Sequence, residues 1–410
     1  MKIGMMTRWN MPCGVSTHAE LIGRAWTDMG YELKVFAPIE AKQLHTFLTR
    51  KDEPYVVRCY KLGSEWRKGE RPVFNPVPFL EDNFDIFVVQ NLEMMPMKQL
   101  LEIFPLIKEK AKTVLVVHEG GLPKNSDFYR FQWDAIVCFD ERYKRFLREV
   151  FPEEKIHIIA YPCHPPVRGD KLKARIKLAL PPDKKIIFNY GLGVFRHIHL
   201  LPTLERLNKK YPILLLTLTN IDDWFDLFST LKNRYRFIEL RKGPVSMGEL
   251  YDYLHASDTL LIHKDTADAV VVSSTAYLCM GSGCPILVHD TNFFETLDKE
   301  VIKYKNLEEF KQRLEDIFEE RDNVIQSIKA AARYVNKNSN YQIAKQFVSL
   351  FNLLLSRTKQ DKTPVNKIKS VPCISVVKPK IKILNSNIDY MLPVHPLQDD
   401  LKNKVSGGSF

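Results

Sequence analysis

The sequence predicts an α/β protein of two Rossmann-like domains facing each other across a cleft, with a C-terminal extension. Three observations point there. The chain has 410 residues, too many for one core and suited to two domains of about 150–200 residues each. Short apolar runs alternate with amphipathic helical stretches, as parallel sheets with crossover helices require, and the alternation starts twice. Between the two series, Tyr161-Pro162-Cys163-His164-Pro165-Pro166 breaks regular structure and marks a linker. The expected division is 1–163 for the first domain and 164–340 for the second. A terminal helix at 341–357 packs back on the first domain, and a basic, proline-containing tail spans 358–410.

The first series opens with the apolar run Lys2–Met6. A loop at 8–16 follows, marked by Pro12 and Gly14. From Ser16 or Thr17 to about Gly30 the spacing of Leu21, Ile22, Ala25, Trp26 and Met29 predicts a helix with one apolar face, stopped by Gly30. Residues 32–36 read as the second strand, ended by Pro38. The runs 85–89, 113–117 and 134–139 are almost continuously apolar, as strands covered on both faces should be. A basic helix at 141–150 and a short strand at 155–159 complete this half.

The second series begins with Lys185–Tyr190, followed by Gly191 and Gly193 and a helix at 200–210. Strands are expected at 213–218, 236–240 and 259–263. Ser246-Met247-Gly248-Glu249 is a capping box, so a helix runs from there to about His255. A helix at 273–281 precedes a buried strand at 285–288. Amphipathic helices follow at 306–319 and 324–335, and a last helix at 341–355. In the tail, 374–377 and 381–384 read as short strands or docked segments.

Composition narrows the class. Lys plus Arg is 60 against 49 Asp plus Glu, a formal charge of +11, which draws anions such as nucleotide phosphates, lipid headgroups or nucleic acid. The basic residues are scattered and no nucleic-acid module is recognisable, so nucleic acid is disfavoured. Seven cysteines without a C-x-x-C pair read as reduced thiols. No secretory signal or spanning segment is apparent. A cytoplasmic protein is expected, with a peripheral contact at the inner membrane face as a second option. That option rests on 98–112 and 142–151, where basic and apolar residues mix as in interfacial helices. The plainer reading of both is an amphipathic surface helix.

Open parallel sheets bind ligands outside the carboxyl ends of their strands, where helix-start amides face phosphate. Three loops qualify. In the first, Gly14 and Val15 let the backbone approach a ligand, Ser16 and Thr17 can cap the helix, and His18 lies in its first turn. In the second, Gly191 and Gly193 precede Arg196, His197 and His199, and Arg196 can clamp a diphosphate. The full G-x-G-x-x-G is absent and the histidines lack metal-site spacing. In the third, Ser273, Ser274 and Thr275 sit at a helix start, an anion site by amides and dipole. A well-capped core helix is the plainer reading of that third loop.

Together these segments resemble the GT-B glycosyltransferases, most closely the family-4 retaining enzymes, over about residues 1–355. The likeness lies in Pro12-Cys13-Gly14-Val15-Ser16-Thr17-His18 with Gly30-Tyr31-Glu32-Leu33-Lys34-Val35-Phe36. It continues in Gly243-Pro244-Val245-Ser246 through Ala256-Ser257-Asp258, and in Met280 through Gly283-Cys284-Pro285-Ile286. The resemblance implies that Gly14 faces donor phosphate and acceptor, that His118 approaches the donor sugar, and that Arg196 binds phosphate. Ser273, Ser274 and Thr275 would receive the diphosphate. The family's two glutamates are replaced by Val270 and Leu278, so ribose recognition must differ, with Asp265 or Asp268 as substitutes.

The implied activity is transfer of a sugar from a nucleotide-sugar donor to a glycan, lipid-linked or small-molecule acceptor. No cofactor is expected, because the nucleotide sugar is a substrate. Helix-start amides and Arg196 can stabilise the leaving diphosphate without a metal. An inverting route needs a general base, for which His18, His118 and Glu119 are candidates. A retaining route, which the resemblance favours, needs no protein nucleophile. The missing glutamates leave a non-catalytic binding or scaffold protein as the alternative.

Overall fold

The computed structural model describes residues 1–39, 50–63, 73–243 and 245–361. The tail beyond residue 361, with its two short apolar runs, lies outside the described residues. In the first half the strands are β1 (Lys2–Met6), β2 (Glu32–Pro38), β3 (Val56–Tyr60), β4 (Ile86–Gln90), β5 (Lys112–Val116), β6 (Ala135–Cys138) and β7 (Ile156–Ile158). Its helices are α1 (Gly14–Asp28), α2 (Val77–Glu81), α3 (Met97–Lys110) and α4 (Glu141–Leu147). The second half has β8 (Lys185–Tyr190), β9 (Ile213–Thr219), β10 (Ile238–Lys242), β11 (Thr259–Ile262), β12 (Ile286–His289) and β13 (Ile302–Tyr304). Its helices are α5 (Lys171–Lys177), α6 (Leu201–Leu207), α7 (Asp222–Arg234), α8 (Met247–Ala256), α9 (Ser274–Cys279), α10 (Leu307–Phe318) and α11 (Asp322–Asn338), and the chain ends in α12 (Asn340–Asp361).

The strands form two parallel sheets, in the orders β3-β2-β1-β4-β5-β6-β7 and β10-β9-β8-β11-β12-β13. Both central strand sets are buried on two faces, which is why β4 (IFVVQ) and β8 (KIIFNY) read as apolar runs rather than alternations. Each sheet reverses its strand order once, between β1 and β4 in one and between β8 and β11 in the other. Those switch points place ligands in doubly wound folds.

The chain passes between the halves twice, and the two passages lie side by side. The Cys163 amide donates to Asn338 O at 2.8 Å, and the Asn340 amide donates to Cys163 O at 2.8 Å. Beyond this crossing α12 runs against α1. Trp26 is fully buried there, its indole N–H 3.3 Å from Ala344 O and its ring 5.7 and 5.4 Å from Phe347 and Phe351.

Helix α1 starts at Gly14, two residues before the sequence expectation, and Ser16 and Thr17 do not cap it. The Cys13 thiol accepts the Ser16 amide at 3.5 Å. The Ser16 hydroxyl instead donates to Glu20 at 2.7 Å, and the Thr17 hydroxyl donates back to Cys13 O at 3.0 Å. Glu20 is in turn held by Arg24, which also binds Glu53 and Asn10. This charged network folds the loop after β1.

In α3, Lys108 is bound to Gln132 O, and Lys110 donates to the carbonyls of Phe79, Leu80 and Asp82. In α4, Lys144 pairs with Glu153, and Arg145 and Arg148 are exposed. Among the described residues no helix is long and apolar enough to cross a membrane.

Candidate functional site

The loops at the carboxyl ends of both sheets meet. A Cβ built on Gly14 would lie 3.2 Å from Ser274 Oγ and 3.3 Å from Ser274 Cβ. Thus the head of α1 touches the head of α9. The Tyr161 hydroxyl, from the interdomain passage, donates to Gly14 O at 2.7 Å. Gly120, just after β5, accepts the Val270 amide at 2.8 Å. Arg142 of α4 donates to Val271 O at 3.1 Å, to Asn292 O at 3.0 Å and to Glu295 at 2.8 Å. The strap between β11 and α9 is therefore pinned onto the first half at several points.

On the second half, Ser273 is fully buried, yet its hydroxyl neither caps α9 nor has any partner. Thr291 Oγ1, two residues beyond β12, is also buried and unpartnered. Ser274 and Thr275, next to Ser273 in the chain, are half-buried, and first-turn amides have no partner within their helix. Gly191 closes β8 at φ +99°, a conformation that favours glycine. The Arg196 guanidinium is paired with the Asp265 carboxylate. Two residues that the sequence assigns to phosphate and to ribose are thus partners of each other. Asp268 is exposed and Val15 buried.

The same edge carries histidines that sequence reasoning did not connect. His263 lies 4.4 Å from His199 and stacks on His289 at 4.3 Å, ring to ring. Its Nδ1 is 2.6 Å from the Tyr304 hydroxyl, and its amide donates to His197 Nε2 at 3.1 Å. Burial, with three neighbouring imidazoles and Arg196, pushes His263 down to about 3. Lys264, over the Phe293 ring at 4.4 Å, is lowered to about 8 by burial and then by Arg196. Burial likewise pushes His197 down to about 4, so His263 and His197 are neutral at neutral pH, and Arg196 and Lys264 are cations on this edge.

On the first half, His18 is fully buried and His118 half-buried, with rings 5.1 Å apart. Gln90 Oε1 lies 2.7 Å from His18 Nδ1 and 3.1 Å from His118 Nε2. Burial pushes His18 down to about 3 and His118 well below its ordinary value. Glu119 is turned toward the loop after β4, where Oε1 accepts the Glu93 amide and Oε2 its neighbour His118's amide, both at 2.9 Å.

Burial pushes Glu119 up to about 7, against the opposing pull of those amides. A carboxyl raised on folding stabilises the fold below its unfolded value, and that contribution is lost as pH rises through the folded value. The stability of the native chain minus that of Glu119→Gln should therefore fall by roughly 3 kcal/mol between pH 4 and pH 8. Denaturant titrations across that range check this, and a flat difference contradicts it.

No protein-family model matches the sequence. Solved structures do match. HepE from Anabaena, in complex with UDP and glucose, is 12% identical with a TM-score of 0.61, covering 86% of this chain and 100% of that one. A glycosyltransferase from Rickettsia africae is 14% identical at TM-score 0.60, covering 86% and 98%. The pneumococcal O-GlcNAc transferase GtfA, with UDP and GlcNAc, is 11% identical at 0.58, covering 87% and 99%. The chain has the GT-B fold.

In this GT-B fold Gly14, Gly120, Ser274 and Val270 lie where the two halves meet. Gly120, Gln90 and His289 were not singled out in the sequence, and Tyr161 and His263 entered only as part of the linker and the end of the strand 259–263. Only the dipeptide Gly120-Gly121 after an apolar run was a usable signal. The histidines are separated by whole β–α units and come together only through strand pairing.

Proposed function

We propose that this chain transfers a sugar from a nucleotide-sugar donor to an acceptor hydroxyl, with retention and without a metal, as in the family-4 enzymes it resembles. One observation carries the reading most: the heads of α1 and α9 touch, beside a buried serine hydroxyl that has no partner. A diphosphate oxygen supplies the missing partner for Ser273 and meets the first-turn amides of Ser274 and Thr275. Arg196 exchanges Asp265 for phosphate and adds the charge-assisted bonds that stabilise the leaving group. Freed from Arg196, Asp265 turns to the ribose, with Asp268 as the other candidate. The second half holds the donor, and the first half, through Gly14 and His118, holds the acceptor and the transferred sugar. The UDP bound in HepE and GtfA favours a uridine nucleotide.

A thermal-shift screen with UDP-, GDP- and ADP-sugars tests this. A donor at 100 times its dissociation constant stabilises the folded state by about 2.7 kcal/mol. The shift should vanish in Arg196→Ala and in Gly14→Leu. Absence of a shift with every donor, or unchanged shifts in both variants, defeats the reading. The non-catalytic alternative is favoured by Leu278, half-buried on α9 where the family carries a glutamate, because its aliphatic side chain has no oxygen to accept a ribose hydroxyl. Donor binding without any turnover would select it.

A further inference from the structure

Gln90 is the last residue of β4 and fully buried between two imidazoles. Its Oε1 is within hydrogen-bonding distance of both rings, and its Nε2 is 3.3 Å from Met5 Sδ. This orientation of the amide is chemically coherent. A carbonyl oxygen has two lone pairs and can accept two N–H groups, and a thioether is a weak acceptor for the amide N–H. The flipped amide would set a carbonyl oxygen against sulfur, where neither atom donates. It would also require an N–H on His18 Nε2, which is buried without a partner. A buried lone pair without a partner is tolerated better than a buried N–H.

A neutral imidazole has one N–H. If both rings donate to Gln90 Oε1, His18 carries its proton on Nδ1 and His118 on Nε2. The remaining lone pair of His118 is then on Nδ1. His118 lies two residues before Gly120, where the second half is pinned to the first.

We propose that Gln90 is a positioning residue that locks His118 as the Nε2–H tautomer, so that Nδ1 is a hydrogen-bond acceptor for a sugar hydroxyl. The tautomer claim is independent of the proposed activity, and only its use in transfer rests on that reading.

The test is two-bond 15N–1H NMR of the histidine-labelled full chain, with Gln90→Met and Gln90→Glu as variants. In the native chain His118 should show a protonated Nε2 and an unprotonated Nδ1. Gln90→Met keeps the volume and removes the acceptor, so the two His118 tautomers should mix. Gln90→Glu keeps the shape and adds a carboxylate between the rings, so His118 should become cationic near neutral pH. The other groups facing the pair are Glu119 beside His118, Tyr161 against His18 at 5.2 Å, and the Phe139 and Phe347 rings. Recording the titration also in Glu119→Gln removes the one overlapping carboxyl. In transfer assays Gln90→Met should lower kcat at least 10-fold with donor KM nearly unchanged.

A native His118 protonated on Nδ1, or a tautomer unchanged in Gln90→Met, overturns the proposal. If Gln90→Met does not fold, an unmoved His118 midpoint in Gln90→Glu overturns it instead. The assigned tautomer in a chain without transferase activity would overturn the activity and leave the positioning intact.

Discussion

Gly120→Val is expected to cut the proposed sugar transfer at least about 100-fold while both sheets stay folded, because displacements near 1 Å cost that much in a positioned site. A Cβ at Gly120 would lie 2.5 Å from Val270 O, 2.7 Å from Ala269 Cβ and 3.1 Å from the Val270 nitrogen. Two of these atoms are backbone, so no rotamer change relieves the overlap. The strap between β11 and α9 must lift, and the bond from the Val270 amide to Gly120 O is lost with it. Ser273, Ser274 and Thr275 continue directly from that strap, so the head of α9 moves away from Gly14. Donor affinity should weaken together with turnover.

Gly121 is the internal control. A Cβ there meets nothing within 4 Å, so Gly121→Ala should retain transfer within about 2-fold, as surface changes away from special features usually do. Steady-state kinetics with a UDP-sugar and a melting curve for each variant make the comparison. Gly120→Val with near-native kinetics would mean that the strap contact plays no part in the reaction.

The fold was largely legible because its central strands are covered on both faces. Lys2–Met6 and Lys185–Tyr190 have the expected bounds, and the capping box at Ser246 opens α8 as its chemistry dictates. Two elements escaped detection for different reasons. α7 has an apolar stripe (Trp224, Phe225, Leu227, Phe228, Leu231), but the stripe lies in a polar segment and only Phe228 is fully buried, whereas β3 is half-buried over most of its length and shows no continuous apolar run. The candidate site was legible only as separate loops. Gly14 and Ser274 could each be picked out, but nothing in the sequence says that they touch. His263 and His289 meet because β11 and β12 pair in parallel, Ile262 opposite Val288. Gln90 reads as the polar end of a strand until β1, β4 and β5 are set side by side.

Trp26→Ala is expected to produce the largest loss of stability, about 3–5 kcal/mol, the usual range for deleting a buried aromatic. Trp26 is fully buried at the seam of α1 and α12, wedged against Phe347 and Phe351. Alanine leaves a cavity on both helices and removes the indole donor to Ala344 O. Trp26→Phe keeps most of the packing and loses the hydrogen bond, so it should cost about 1 kcal/mol for that bond, plus a smaller cavity term. The ratio of the two effects separates packing from polar pairing, and equilibrium unfolding in denaturant measures both. A loss below 1 kcal/mol in Trp26→Ala would show that α12 is only loosely seated. The consequence reaches the site, because α1 has Trp26 near one end and Gly14 at the other. A loosened α12 contact frees α1 to tilt, and its head is what Ser274 touches. Trp26→Ala should therefore also weaken donor binding, although Trp26 packs against α12 and not against the site.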